Sequence, residues 1–299
     1  WIHEIVMEIV VASGKGGTGK TFLASNLAIL IDEKLDGAVA ADADVEAPDL
    51  VLAMGGERRL LRSREIWESM KASIDYKLCN RCLKCVDVCM FDAIRLVDGE
   101  PRIIEEFCEG CGACAHVCPA NAISFRRTRT GRIYSVETAA GVKTTTGDLE
   151  IGGRNTGDLV YLVREEAKEI ARGDHVKNIV IDSAPGIGCP VISSLSGADL
   201  LIIVVEPTPQ SLNGAKRLLK IAESFKMKVT YVVNKFDLNE EFLKAIDSEL
   251  GLERVGRIPY DSEVPSSYSM MRPIAIHGMD TRAGKALEEV FENLESWIT

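Results

Sequence analysis

The sequence predicts an α/β fold, a mostly parallel sheet with helices on both faces, into which a small cysteine-rich α+β unit is inserted. Three observations predict it. Short β-branched runs alternate with helix-length stretches through most of the 299 residues. The first run passes into a glycine-rich turn and then into helical periodicity. Between the second and third runs, the composition changes and eight of the nine cysteines fall within 40 residues.

In order, the first strand is expected over Ile5–Ser13, and the helix after it carries Phe22, Leu23, Leu27, Ile29 and Leu30 on its apolar side. A second strand, Ala38–Ala41, ends in Asp42 and Asp44. Four later strands are expected at Ile179–Ile181, Leu200–Val205, Val229–Val233 and Val255–Ile258, with helices near 159–172, 210–225, 240–250 and 283–297. The cysteine-rich segment 74–125 is a twofold repeat: Cys79, Cys82, Cys85 and Cys89 recur 29 residues on as Cys108, Cys111, Cys114 and Cys118, and Asp92-Ala93-Ile94 recurs as Asn121-Ala122-Ile123. It divides the large domain into residues 1–73 and 126–299. The Thr- and Gly-rich stretch from Arg126 to Gly157 is expected to return to the main sheet as a hairpin, with Arg126, Arg127, Arg129 and Arg132 on its solvated face.

The net charge of −10, from 45 acidic and 35 basic residues, argues against nucleic-acid or anionic-lipid partners. No apolar run approaches the ~18 residues of a membrane span. The start lacks the pattern of a secretory leader, and Met7 is taken as a natural beginning. An odd number of crowded cysteines points to metal ligation in a reducing cytoplasm rather than to disulfides.

Gly14-Lys15-Gly16-Gly17-Thr18-Gly19-Lys20-Thr21 fits GxxxxGK[ST], placed between a strand and a helix as that motif requires. Its backbone N–H groups and the helix dipole would cradle phosphates, with Lys20 reaching the β- and γ-phosphates and Thr21 holding Mg²⁺. The second lysine, Lys15, resembles the deviant Walker A group of P-loop ATPases that contains MinD, ParA, the nitrogenase iron protein and the Mrp-type cluster carriers. That resemblance implies a homodimer in which Lys15 reaches the nucleotide of the partner subunit. Other segments follow the family's order. Asp42-Ala43-Asp44 resembles switch I, with Asp44 acting on the attacking water and Asp42 on the metal's water shell. Asp182-Ser183-Ala184-Pro185-Gly186 resembles Walker B with switch II, with Asp182 acting on Mg²⁺ through water. Asn234 resembles the base-recognition position, and Pro259 and Asp261 the loop over the adenine.

Cys-x₂-Cys-x₂-Cys-x₃-Cys, used twice, resembles a bacterial ferredoxin with two [4Fe–4S] clusters. The resemblance implies that Cys79, Cys82, Cys85 and Cys118 hold one cluster, and Cys108, Cys111, Cys114 and Cys89 the other. Met90 stands where the first repeat would have proline. Structural zinc is the other reading of the cysteines. Cys189 is expected as a small buried residue, with a metal contact at a dimer interface as the alternative. Trp67 and Trp297 are expected to pack helices, and His3, His116, His175 and His277 show no catalytic spacing.

The function expected is Mg²⁺-dependent ATP hydrolysis whose dimer rearrangement drives electron transfer or metallocluster assembly and transfer to a redox or metallocluster partner. The alternative is a spatial regulator like MinD or ParA that uses the clusters as sensor or structural element.

Overall fold

A computed structural model describes residues 6–153 and 156–298; Trp1, His3 and Ile5 lie outside the described residues. The described residues form thirteen strands: β1 (Met7–Ala12), β2 (Ala38–Ala43), β3 (Glu57–Ile66), β4 (Ser69–Ile74), β5 (Ile94–Val97), β6 (Glu100–Ile103), β7 (Ile123–Thr128), β8 (Gly131–Thr138), β9 (Lys143–Leu149), β10 (Asn178–Ser183), β11 (Leu200–Val205), β12 (Lys228–Asn234) and β13 (Arg254–Ile258). The helices are α1 (Lys20–Lys34), α2 (Leu50–Ala53), α3 (Lys84–Val88), α4 (Ala113–His116), α5 (Thr156–Asp174), α6 (Cys189–Leu195), α7 (Pro209–Ala222), α8 (Leu243–Leu250), α9 (Glu263–Ser269), α10 (Ile274–His277) and α11 (Arg282–Ile298).

Nine strands form one sheet in the order β13-β12-β11-β1-β10-β2-β9-β8-β3. From β13 to β9 all neighbours are parallel, and β8 and β3 add antiparallel pairs at one edge. The expected hairpin is β8–β9, its two strands joined across residues 139–142. Strand β1 lies centrally between β10 and β11, where successive crossovers part to opposite sides, the position at which open α/β sheets bind ligands.

Each face of the sheet buries its own core. Leu159, Val163 and Ile170 of α5, Leu212 and Leu218 of α7 and Ile246 of α8 cover one face, while α1 and α11 cover the other. Helix α11 shows how: Ala283, Leu287, Val290, Phe291 and Leu294 recur at helical spacing and are buried, and Glu289, Glu292 and Glu295 stay exposed. Helix α1 is buried over most of its length, so its near-continuous apolar sequence finds contacts on more than one side. Arg164 of α5 ties the layers, donating to Glu8 of β1 at 2.8 and 3.0 Å and to the Ser196 carbonyl at 2.8 Å.

The cysteine-rich unit stands on a separate ribbon, β4 paired antiparallel with β7, and carries the small hairpin β5–β6. Its own core contains Ala72, Cys85, Ala93, Ile94, Cys108 and Cys114. Arg126 and Arg127 belong to β7 rather than to the β8–β9 hairpin, and each of the four arginines of the basic run meets a carboxylate. Trp67 does not pack a helix. It lies between β3 and β4, half exposed, and its indole N–H donates to Glu65 at 3.2 Å. Trp297 of α11 packs partly against the core, as expected. No helix among the described residues is long and apolar enough to cross a membrane.

Candidate functional site

The phosphate loop wraps from the end of β1 to the start of α1 in the conformation its glycines permit. Gly17 and Gly19 hold φ of 79° and 89°, in the left-handed region that favours glycine. Gly14 is required by space instead, because a Cβ there would lie 2.0 Å from the backbone of Gly214 in α7. Asn234, at the end of β12, braces the loop from the side by donating to the Thr18 carbonyl at 2.7 Å. The backbone N–H of Gly186 donates to Ser13 at 2.9 Å, joining the segment after β10 to the loop's entrance.

Three of the expected side chains converge at the mouth of α1. Lys20 Nζ lies 2.8 Å from Asp182 Oδ1, and the Thr21 hydroxyl donates to Asp182 Oδ2 at 2.6 Å. Burial alone would lower the Lys20 ammonium, but the charge and hydrogen bond of Asp182 outweigh it and raise its pKa. The register of β10 with β2 sets Asp182 beside Asp42. Burial, and then the charge of Asp182, push the Asp42 carboxyl well above the usual carboxylate range. Both Asp42 oxygens accept backbone N–H groups, from Asp44 at 3.1 Å and Leu50 at 2.9 Å, so Asp42 shapes the loop after β2. Asp44 is raised to about 6, chiefly by burial, with Lys20 opposing. Asp49, which the sequence reading missed, belongs to the same acidic group and is also raised by burial.

Pro259 and Asp261 stand apart from this cluster: Asp261 accepts backbone N–H groups of Glu263 and Ala283, each at 3.0 Å, and so fixes the start of α11. Lys15 points away from Lys20. Its Nζ lies 2.5 Å from Glu206 Oε2, while Lys235 Nζ lies 2.7 Å from Glu206 Oε1 and 3.0 Å from the Gly17 carbonyl. Burial would raise Glu206, but hydrogen bonds from Lys15 and Lys235 hold it below the usual carboxylate range. Sequence reasoning missed Glu206. The available signal was an acidic residue just past the C-terminal end of a central parallel strand, on the ligand-binding edge.

Two groups could be held here. For Mg²⁺ with a nucleotide, the Thr21 hydroxyl and Asp182 carboxylate are hard oxygen donors, and the buried Thr18 hydroxyl has no hydrogen-bond partner. For iron–sulfur clusters, the eight thiols of the repeat are free and divide into two sets. Cys79, Cys82, Cys85 and Cys118 line one small pocket, walled by Ile74 and Ile123. Cys89, Cys108, Cys111 and Cys114 line a second, walled by Phe91 and Phe125. Among the described residues no three His, Cys, Asp or Glu side chains close on a single-ion site. Four thiolates around one pocket are a soft donor set of the kind that both structural zinc and a [4Fe–4S] cluster take. Backbone N–H groups of Ala122 and Ala72 face Cys118 Sγ at 3.3 Å and Cys108 Sγ at 3.5 Å, and Lys71, buried and also missed by the sequence reading, donates to the Cys108 carbonyl at 2.8 Å.

Cys189, expected to be buried, is exposed at the first position of α6, just after the turn that follows β10. His116 is also exposed.

The chain is 33% identical over 297 residues to an uncharacterised protein of Methanocaldococcus jannaschii, covering 98% of each. It is 28% identical over 294 residues to an uncharacterised ATP-binding protein of the same organism, covering 94% of this chain and 95% of that one. The fold matches the cell division ATPase MinD of Pyrococcus furiosus with a TM-score of 0.62 at 15% identity, covering 98% of this chain and 100% of that one. The sequence profile of the CobQ/CobB/MinD/ParA nucleotide binding domain matches residues 9–274, a span that takes in both the phosphate loop and Asp182, and the chain belongs to that family.

Proposed function

We propose that the protein is an ATP-operated switch of the MinD/ParA kind, in which Mg²⁺-ATP favours pairing of two copies and hydrolysis releases them, so that partner proteins are engaged in one state only. The observation that carries this reading is the convergence of Lys20, Thr21 and Asp182 at the phosphate loop, with Lys15 held at the loop's rim. Lys20 would neutralise the terminal phosphates. Mg²⁺, when bound, would supply further positive charge to them, with the Thr21 hydroxyl and Asp182 as its nearest protein donors. Asp44, raised to about 6, is ionised at neutral pH and suited to orient the attacking water. Asn234 would act indirectly, by fixing Thr18. Differential affinity of ATP for the two states is what lets the cycle do work on a partner.

The test is Mg²⁺-dependent ATP turnover, expected in the wild type and abolished in Lys20→Ala. Turnover that survives Lys20→Ala, or is absent from the wild type, overturns the reading.

In the same reading, segment 74–125 is an inserted ferredoxin-like domain whose two [4Fe–4S] clusters serve as sensor or structural element, in a reducing cytoplasm. A second reading, electron transfer or metallocluster transfer to a partner, is favoured by the two four-thiol cavities. Iron and EPR analysis of anaerobically purified protein, with and without ATP, separates them. A cluster spectrum that shifts with ATP, and no longer shifts in Lys15→Ala, supports transfer. A spectrum indifferent to ATP supports the structural role, and iron-free protein removes both cluster assignments.

A further inference from the structure

Lys15, Lys235 and Glu206 form one charge group at the rim of the phosphate loop. Glu206 is largely buried, its side chain 10% exposed, and its backbone N–H donates to the Ser211 hydroxyl at 2.9 Å, which anchors it to α7. Its two carboxylate oxygens are divided between two ammonium groups, Oε2 to Lys15 at 2.5 Å and Oε1 to Lys235 at 2.7 Å. The two cations are not equivalent. Lys235 is also bound to the Gly17 carbonyl at 3.0 Å, whereas Glu206 is the partner that turns Lys15 inward onto its own chain.

We infer that Glu206 is a positioning residue that latches Lys15 to its own subunit, so that two subunits pair only when Lys15 is released. The inference rests on the ATP-dependent pairing proposed above and adds the element that sets its threshold. Release gives up one charge-assisted hydrogen bond. It does not strand a bare carboxylate, because Lys235 stays on Glu206, and a largely buried carboxylate left without a cation would cost far more. One carboxylate shared by a fixed and a movable ammonium therefore makes a contact that holds Lys15 and still lets it go.

Two measurements test this on the full chain, each with thermal melting to establish that the variants fold. The first uses nucleotide-free protein and reads the rate at which an amine-reactive reagent modifies Lys15, by peptide mass spectrometry. Glu206→Gln is expected to raise that rate about tenfold by removing the charge-assisted bond, and an unchanged rate overturns the latch whether or not the protein ever pairs. The second uses an Asp44→Ala background saturated with Mg²⁺-ATP and reads the dimer dissociation constant by sedimentation. Glu206→Gln is expected to lower it about tenfold, Lys235→Met to raise it, and the double variant to behave as Glu206→Gln alone, the sign pattern set by one shared carboxylate. A dimer unchanged or weakened by Glu206→Gln overturns the latch. A background that stays monomeric overturns the pairing, and the labelling result then decides the latch by itself.

Discussion

Gly14 of the phosphate loop and Gly214 of α7 meet backbone to backbone: a Cβ on Gly14 would lie 2.0 Å from the Gly214 carbonyl carbon, and one on Gly214 would lie 2.9 Å from the Gly14 backbone. Alanine in a helix interior ordinarily gains up to about 1 kcal/mol over glycine. At Gly214 the sign is expected to reverse. Gly214→Ala has no flexible side chain to displace, only the loop itself, so it should destabilise by roughly 1–3 kcal/mol and weaken nucleotide binding. Urea unfolding and titration with a fluorescent ATP analogue check both effects. A variant more stable than the wild type with full affinity would contradict the close approach.

The acidic cluster makes nucleotide-free stability depend on pH. Burial raises Asp44 to about 6, and Asp42 and Asp49 are raised as well. Between the ordinary aspartate value of about 4 and about 6, the folded chain therefore holds protons that the unfolded chain has lost. Stability from this cluster falls as pH rises through that window. Asp44→Asn removes part of the penalty, so the variant should gain on the wild type as pH rises from about 4 to about 7. Denaturation midpoints at both ends measure the gap, and a gap that stays constant or narrows goes against the assignment.

Each four-thiol cavity takes its fourth cysteine from the other repeat, so a single substitution should empty one cavity and spare the other. Anaerobic wild type is expected to carry about eight iron atoms per chain, the content of two cubanes. Cys118→Ser should lower this to about four while Cys108, Cys111, Cys114 and Cys89 keep theirs. Loss of all iron would show that the two cavities do not load independently.

Much of this was legible in the residues. Leu200–Val205 is a strand with the bounds its apolar run implied, and the 29-residue repeat reappears in the backbone. Arg81 and Gly110, Leu83 and Gly112, Asp92 and Asn121 are 29 apart, and all six hold positive φ. Chain-local patterns of this kind set local conformation, so they can be read one segment at a time. The contacts of Glu206, Lys71 and Gly214 could not, because each is made with a neighbour far along the chain: Glu206 meets Lys15 191 residues away, and Lys71 meets Cys108 37 residues away. Cys189 was misjudged for a related reason. Its residue type favours the interior, but the turn after β10 puts the first position of α6 at the surface.

Nucleotide-dependent pairing through Lys15 is the claim on which the rest depends, and light scattering with Mg²⁺-ATP on Asp44→Ala and on Asp44→Ala/Lys15→Ala measures it. The first protein is expected to double in mass at saturating ATP and to remain a monomer with ADP, while the second remains a monomer with either. Equal masses for the two proteins at saturating ATP would contradict it.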